Sequence, residues 1–143
     1  PAEARDSAAH WFGTYLTPEV IGYNADMISE AEVPKDWDDV IDPKWRGQVL
    51  IRDPIASGTM RAIFGAILAR SVAQTGSTAA GWDWLRKLDA NTKEYTFNPT
   101  ILYTKLERQE GALTLYNMPD MATLRQRTPH VPAHGARRTR HRD

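Results

Sequence analysis

Ser57, Gly58 and Thr59 are the residues of this chain whose types and spacing are best suited to binding a ligand. They follow a short run of β-forming residues at 49–51, and they precede apolar residues that recur at helical spacing from Met60 to Val72. A strand that leads through such a turn into a helix directs free N–H groups and the positive end of the helix dipole towards an anion. The alternative is that Ser57 or Thr59 only caps the helix, which is the commoner use of these residues.

Two more turns of this kind follow predicted strands. The strand at 95–97 leads into a turn at 98–100, where Asn98 can cap a helix and Pro99 suits its first position. The strand at 112–116 leads into a turn at 117–120 and then into a short helix at about 120–126. Each turn therefore places polar side chains between the end of a strand and the start of a helix.

The alternation of strands and helices predicts an α/β fold with a mainly parallel sheet flanked by helices. In open sheets of this class, ligands bind at the carboxyl ends of the strands. We therefore expect the three turns to converge on one small ligand. The predicted ligand-binding residues are Ser57, Gly58, Thr59, Asn98, Thr100, Asn117 and Asp120.

The other predicted elements lie before and between these turns. An aromatic-rich strand is predicted at 11–16, and a second strand is predicted at 20–23. A short helix at 36–41 precedes the strand at 49–51, and a helix at 78–90 follows the long one.

Composition divides the chain into a polar lead-in at 1–10, an α/β ligand-binding body at 11–127 and a basic tail at 128–143. Residues 125–143 hold six of the 18 basic residues and one of the 18 acidic residues, so the remainder carries 12 basic against 17 acidic. The tail contains too little apolar surface to offset the entropy of ordering it. It is therefore predicted to be disordered. It is either a flexible native tail or a segment that is not a native structural element. In both cases its deletion is expected to leave the stability of the body unchanged.

Several classes of site are missing from the sequence. There is no cysteine, which excludes disulfides and thiolate chemistry, and there is no glycine-lysine phosphate loop or dinucleotide-binding glycine motif. Nothing pairs a nucleophile with a base, so no catalytic residue and no cofactor is predicted and the chain is not expected to be an enzyme. The acidic residues between 36 and 42 are interpreted as a solvated surface, so no metal ligands are predicted. No apolar run approaches the length of about 20 residues that a membrane-spanning helix needs.

Four segments of the chain carry a family resemblance. These are VIGYNADMI, VPKDWDDVIDPKWRGQVLIRDP, SGT and GWDWLRKLDAN. Together they resemble the second lobe of bacterial extracellular solute-binding proteins, and more narrowly the type 2 periplasmic-binding branch that includes the ferric-iron receptors of ABC transporters. The resemblance covers roughly residues 11–124.

The resemblance implies a two-lobed clamshell protein that delivers a small anionic ligand, or a metal–anion complex, to an inner-membrane ABC permease. It implies a periplasmic or extracellular location, either lipid-anchored or soluble, with the signal peptide outside this chain and the first lobe missing from it. In that family, the turn matched by Ser57, Gly58 and Thr59 faces the cleft, and the turn matched by Asn98 and Thr100 faces it as well.

One departure from the family pattern concerns iron. Ferric-binding members carry adjacent tyrosines after the last strand, whereas this chain has Asn117-Met118-Pro119-Asp120 there, and Tyr116 is expected in the core. No ferric site built on a tyrosine pair is therefore expected.

Two other functions compete with ligand transport. The first is a small-molecule enzyme that uses the same anion-binding turn, although no base is visible near Ser57. The second is a nucleic-acid binder that acts through the Arg-rich tail. The acidic body and the lack of aromatic residues in the tail argue against it, so no nucleic-acid partner is predicted.

Overall fold

The computed structural model describes residues 5–132 and the backbone of residues 133–135. Five strands and four α-helices alternate along this part of the chain, and two short 3₁₀ helices at Trp37–Ile41 and Pro43–Trp45 precede the second strand. In chain order the elements are β1 (Glu19–Tyr23), β2 (Val49–Arg52), α1 (Gly58–Thr75), α2 (Ala79–Asn91), β3 (Thr92–Thr96), α3 (Pro99–Glu107), β4 (Leu113–Asn117), α4 (Met118–Arg127) and β5 (Ala133–Gly135).

The strands form one sheet in the order β3-β2-β4-β1-β5. β2 runs parallel to both of its neighbours, whereas β1 runs antiparallel to β4 and to β5. The predicted α/β class is confirmed, but the sheet is mixed rather than mainly parallel. Hydrophobic periodicity identifies a strand without giving its direction, and no α-helix connects β1 to the strand that follows it.

Helices cover both faces of the sheet, because successive side chains of a strand point to opposite faces. On one face, Ile21, Ile51 and Leu115 pack in a core with residues of α1 and α2. On the other face, Leu50 and Tyr116 pack in a core with residues of α3 and α4. The carboxyl ends of the three parallel strands are thereby held between two helical layers.

The predicted strand at 11–16 is wrong. This segment forms only an isolated bridge between Arg5 and Phe12, and its aromatic side chains are largely exposed, with Tyr15 at 81%. Aromatic residues favour strands because they pack against side chains on neighbouring strands. Among the described residues, no neighbouring strand lies beside this segment. The second predicted strand is confirmed as β1.

The boundary predicted at residue 127 is also wrong, because the fold continues to at least residue 135. β5 extends the sheet beyond β1, the Tyr23 N–H donates to the Pro132 carbonyl at 3.1 Å, and Val131 is completely buried. The free edge of β1 supplies hydrogen-bond partners that the composition of this segment does not reveal. The predicted tail beyond residue 135 lies outside the described residues.

Replacing Val131 with alanine tests whether this segment is part of the fold. Val131→Ala is expected to lower the free energy of unfolding by about 1.5–3 kcal/mol, because a fully buried valine loses its apolar contacts and leaves a cavity. The matched control is Val72→Ala, since Val72 on α1 is 46% exposed. Urea denaturation measures both variants, and equal small effects would show that the segment after α4 is not packed.

Candidate functional site

The three predicted turns meet at one edge of the sheet. β3, β2 and β4 are adjacent and parallel, so their carboxyl ends lie side by side. β1 runs in the opposite direction and brings its first residue, Glu19, to the same edge opposite Asn117. Four chain segments therefore contribute to this edge, which is where ligands bind in open α/β sheets.

A helix begins at each of the three turns, and a polar side chain caps each helix. The Ser57 hydroxyl accepts a hydrogen bond from the Met60 N–H at 3.3 Å, and the Asn98 side chain accepts one from the Thr100 N–H at 2.7 Å. The Asn117 side chain accepts from the Asp120 N–H at 3.0 Å. The capping role that the sequence predicts for Ser57 and Asn98 is confirmed. The first N–H groups of a helix have no acceptor within it, so three sets of donors lie at this edge.

Thr59, Asn117 and Asp120 are brought into direct contact. The Asn117 side-chain amide donates to the Asp120 carboxylate at 3.0 Å and lies 3.5 Å from the Thr59 hydroxyl. These bonds join the first turns of α1 and α4 across the end of β4. An added side chain at Gly58 would meet only the end of the Arg61 side chain, at 3.8 Å, so the backbone there is open to approach.

The second predicted turn stands beside this cluster without bonding to it. Asn98 and Thr100 are exposed, and the only hydrogen bond described for the Asn98 side chain is its own cap. Their link to the rest of the edge runs through the sheet. The structure thus brings Thr59, Asn117 and Asp120 together. Asn98 and Thr100 lie at the same edge of the sheet after β3, which β2 separates from β4.

Arg52 is a residue of this edge that sequence reasoning missed. It is the last residue of β2 and is only 8% exposed. Its guanidinium donates to the Thr96 carbonyl at 3.2 Å, the Phe97 carbonyl at 2.8 Å and the Tyr116 hydroxyl at 3.1 Å. None of the ion pairs between described residues includes it. Arg52 therefore brings a buried positive charge to this edge, bonded among the described residues only to neutral groups.

Two tyrosines connect Arg52 to Asp120. The ring of Tyr103 on α3 meets that of Tyr116 edge to face, with centroids 5.9 Å apart. Burial raises the pKa of Tyr103 far above its usual value, and the hydrogen bond that its hydroxyl makes to Asp120 raises it further. Tyr103 is therefore a neutral donor, and the chain of contacts runs from Arg52 through both tyrosines to Asp120.

Glu19 is the second residue that the sequence did not single out. Burial raises the pKa of its carboxyl group from 4.5 to about 7. Its Oε2 atom is buried and has no hydrogen-bond partner among the described residues. The only sequence signal was an acidic residue at the start of a strand, which does not reveal that the side chain is partly buried.

The partial burial of Glu19 predicts how stability depends on pH. Its pKa is raised on folding, so the stability it contributes is fully present below about pH 4.5 and is lost as the pH rises through about 7. Glu19→Gln carries no charge and escapes this loss. Between pH 4.5 and 8, the variant should gain about 1–2 kcal/mol in free energy of unfolding relative to the wild type, less than the full shift implies because the side chain is partly exposed.

Urea denaturation at the two pH values measures this difference. The matched control is Glu30→Gln, because Glu30 is exposed on the loop after β1. If Glu19→Gln and Glu30→Gln respond to pH in the same way, the Glu19 carboxyl is not buried.

Among the residues that the structure describes, no group of three or more His, Asp or Glu side chains is placed to hold a metal ion. Asp120 is already bonded to Asn117 and Tyr103. The chemistry that these residues offer is hydrogen bonding, from the first N–H groups of three helices and from polar side chains.

Comparison with known proteins places this arrangement in a class. Iron-bound HitA from Pseudomonas aeruginosa superimposes with a TM-score of 0.75 at 24% sequence identity, covering 94% of this chain and 42% of that one. The Fe(3+)-binding periplasmic protein of Serratia marcescens is 29% identical over 98 residues, which is 68% of this chain and 27% of that protein. An uncharacterized protein of Haemophilus influenzae is 36% identical over 78 residues, which is 52% of this chain and 21% of that protein.

The fold is that of a type 2 periplasmic-binding protein. The profile of the bacterial extracellular solute-binding protein family matches residues 1–134, and the chain belongs to that family. The predicted resemblance is thereby confirmed. The family binds solutes and is not a family of enzymes.

The chain spans about a quarter of the length of the curated relatives that it matches, and less than half of HitA. Within the described residues, none of the helices combines the length and the apolar character needed to cross a bilayer.

Proposed function

We propose that this chain is a ligand-binding lobe of the substrate-binding component of an ABC importer, and that it binds a small anionic ligand at the N-terminus of α1. The observation that carries the proposal is the buried Arg52 guanidinium, which lies beside three capped helix N-termini and bonds to no carboxylate among the described residues. The family membership supports the transport role.

The electrostatics of the edge favour an anion over a cation. Each helix N-terminus acts as about half a positive charge, and α1, α3 and α4 all begin here. Arg52 adds a full positive charge. A bound anion would offset the free-energy cost of removing that charge from water. The negative charge of Asp120 lies in the first turn of α4, where the helix dipole stabilises it, and it is hydrogen-bonded by Asn117.

The groups proposed to contact the ligand are those at this edge that are exposed or only partly occupied by other hydrogen bonds. Ser57 is 5% exposed and its hydroxyl caps α1, so Ser57 would contribute through the helix that it stabilises. Gly58 offers open backbone, and Thr59 a partly exposed hydroxyl. We place Asn117 and Asp120 beside the ligand, and Asn98 and Thr100 on the neighbouring side of the same site.

The whole protein would close a second lobe over this edge and deliver the ligand to an inner-membrane ABC permease. This would take place in the periplasm or at the outer face of the cytoplasmic membrane, with the protein either lipid-anchored or free. Relatives that are more than twice as long as this chain support a second lobe.

Thr59→Ala tests the anion site in a two-lobed protein that contains this chain. Affinity for inorganic phosphate is expected to fall about tenfold or more, because a hydrogen bond to a charged group contributes about 1.5–3 kcal/mol. Isothermal titration calorimetry measures it. Ser57→Ala should lose affinity together with about 1 kcal/mol of stability, since it removes the cap.

Thr123→Ala is the matched control, because Thr123 is exposed and its hydroxyl bonds to the Pro119 carbonyl of its own helix. Unchanged affinity in both Ser57→Ala and Thr59→Ala would leave these residues with a capping role alone.

The site is expected to bind the anion without a tyrosine-bound ferric ion. By the family resemblance, Met118 and Pro119 stand where ferric-binding members carry paired tyrosines. The Tyr116 hydroxyl accepts a hydrogen bond from Arg52, and the pKa of Tyr103 is raised, so Tyr103 resists deprotonation. Adding Fe³⁺ with phosphate should therefore produce no visible tyrosinate-to-iron charge-transfer band. A band that disappears in Tyr116→Phe or Tyr103→Phe would contradict this expectation.

A further inference from the structure

Glu19 lies at the edge of the proposed anion site, and one of its carboxyl oxygens has no hydrogen-bond partner among the described residues. It is the first residue of β1, and its Cα partner across the β1–β4 ladder is Asn117. Residues directly opposite in an antiparallel pair project to the same face of the sheet. The Asn117 side chain reaches Thr59 of α1, so Glu19 and Asn117 share the face on which α1 begins.

The backbone holds this pair in place. The Met118 N–H, one residue after Asn117, donates to the carbonyl of Pro18, one residue before Glu19, at 2.8 Å. This bond closes the end of the β1–β4 ladder at the edge where the three turns meet. The position of Glu19 is therefore set by the sheet and not by a mobile loop.

The Glu19 carboxyl group lacks a hydrogen bond that its burial would favour. Its Oε2 atom is buried and bonds to no described residue. Buried polar atoms are normally hydrogen-bonded, and one left without a partner destabilises the fold. Such an atom next to a binding site is accounted for if the ligand supplies the missing partner.

We propose that Glu19 is a ligand-contacting residue of this site and that, as a neutral carboxylic acid, it donates a hydrogen bond to an oxygen of the bound anion. The inference rests on the proposed anion site at the start of α1. It adds a group that selects for oxyanions able to accept a hydrogen bond at this position.

An anion bound at this edge would favour the neutral form of Glu19. A carboxylate would repel an anion held at the same edge, whereas the protonated acid supplies a donor. Burial already raises the pKa of Glu19 to about 7, so protonation at neutral pH costs little.

The elements packed against β1 are β4, β5 and α4, and α1 covers the same face. Their titratable or charged residues are Tyr116 on β4, His134 on β5, Asp120, Arg125 and Arg127 on α4, and Arg61 and Arg70 on α1. Arg61 is bonded to the carbonyls of the β2–α1 turn, and Arg70 is paired with Asp38. None of those groups whose side chains the structure describes is a hydrogen-bond partner of the buried Glu19 Oε2 atom.

A phosphate titration of the chain, followed through the amide NMR signals of Gly58 and Thr59, tests the proposal. For each protein, the dissociation constant at pH 8 is divided by that at pH 6. If only the neutral acid supports binding, this ratio should be about ten times larger in the wild type than in Glu19→Gln, which presents an uncharged donor at both pH values. The ionisation of phosphate is the same for both proteins and cancels in this comparison. Glu19→Leu, which has no donor, should bind about tenfold more weakly than Glu19→Gln at either pH.

The control Glu30→Gln should follow the wild type. An equal pH dependence in wild type and Glu19→Gln, with phosphate still shifting the Thr59 amide, overturns the role of Glu19 and leaves the anion site standing. If phosphate shifts neither amide in the wild type, the anion site itself is wrong and the role of Glu19 falls with it. Dispersed spectra of each variant establish that it is folded.

Discussion

The buried guanidinium of Arg52 is the interaction on which the organisation of the site depends. Two of its hydrogen bonds hold the carbonyls of Thr96 and Phe97, which lead into α3, and the third holds the hydroxyl of Tyr116 on β4. One side chain on the central parallel strand thus fixes the ends of both strands beside it. Burying a charge among neutral acceptors is costly, and proteins keep such an arrangement where the charge has a use.

The contacts that extend from Arg52 join elements on both faces of the sheet. Tyr116 packs against Tyr103, and the bonds from Tyr103 to Asp120 and from Asp120 to Asn117 carry the network to the first turn of α4. Asn117 then lies within 3.5 Å of the Thr59 hydroxyl on α1, across the sheet. The polar groups at this edge are therefore preorganised. Because the donors are already aligned, ligand binding would lose less free energy to ordering the site.

Local signals in the sequence predicted the caps and failed to predict the residues that act at a distance. Ser57 and Asn98 were identified because a cap depends on the next three residues of the chain. Arg52 and Glu19 take their roles from the pairing of β2 with β3 and of β1 with β4, and no local pattern encodes that pairing. The same reason explains β5, whose three residues become a strand only because β1 offers them an edge.

The most direct test of an anion at the N-terminus of α1 is anomalous diffraction from crystals of the chain soaked in tungstate, a heavy oxyanion. An anion site there predicts a tungsten peak within hydrogen-bonding distance of the Thr59 amide, in contact with the edge that Arg52 and Asn117 organise. A peak bound only by the arginines that follow residue 124, with none at this edge, would contradict it.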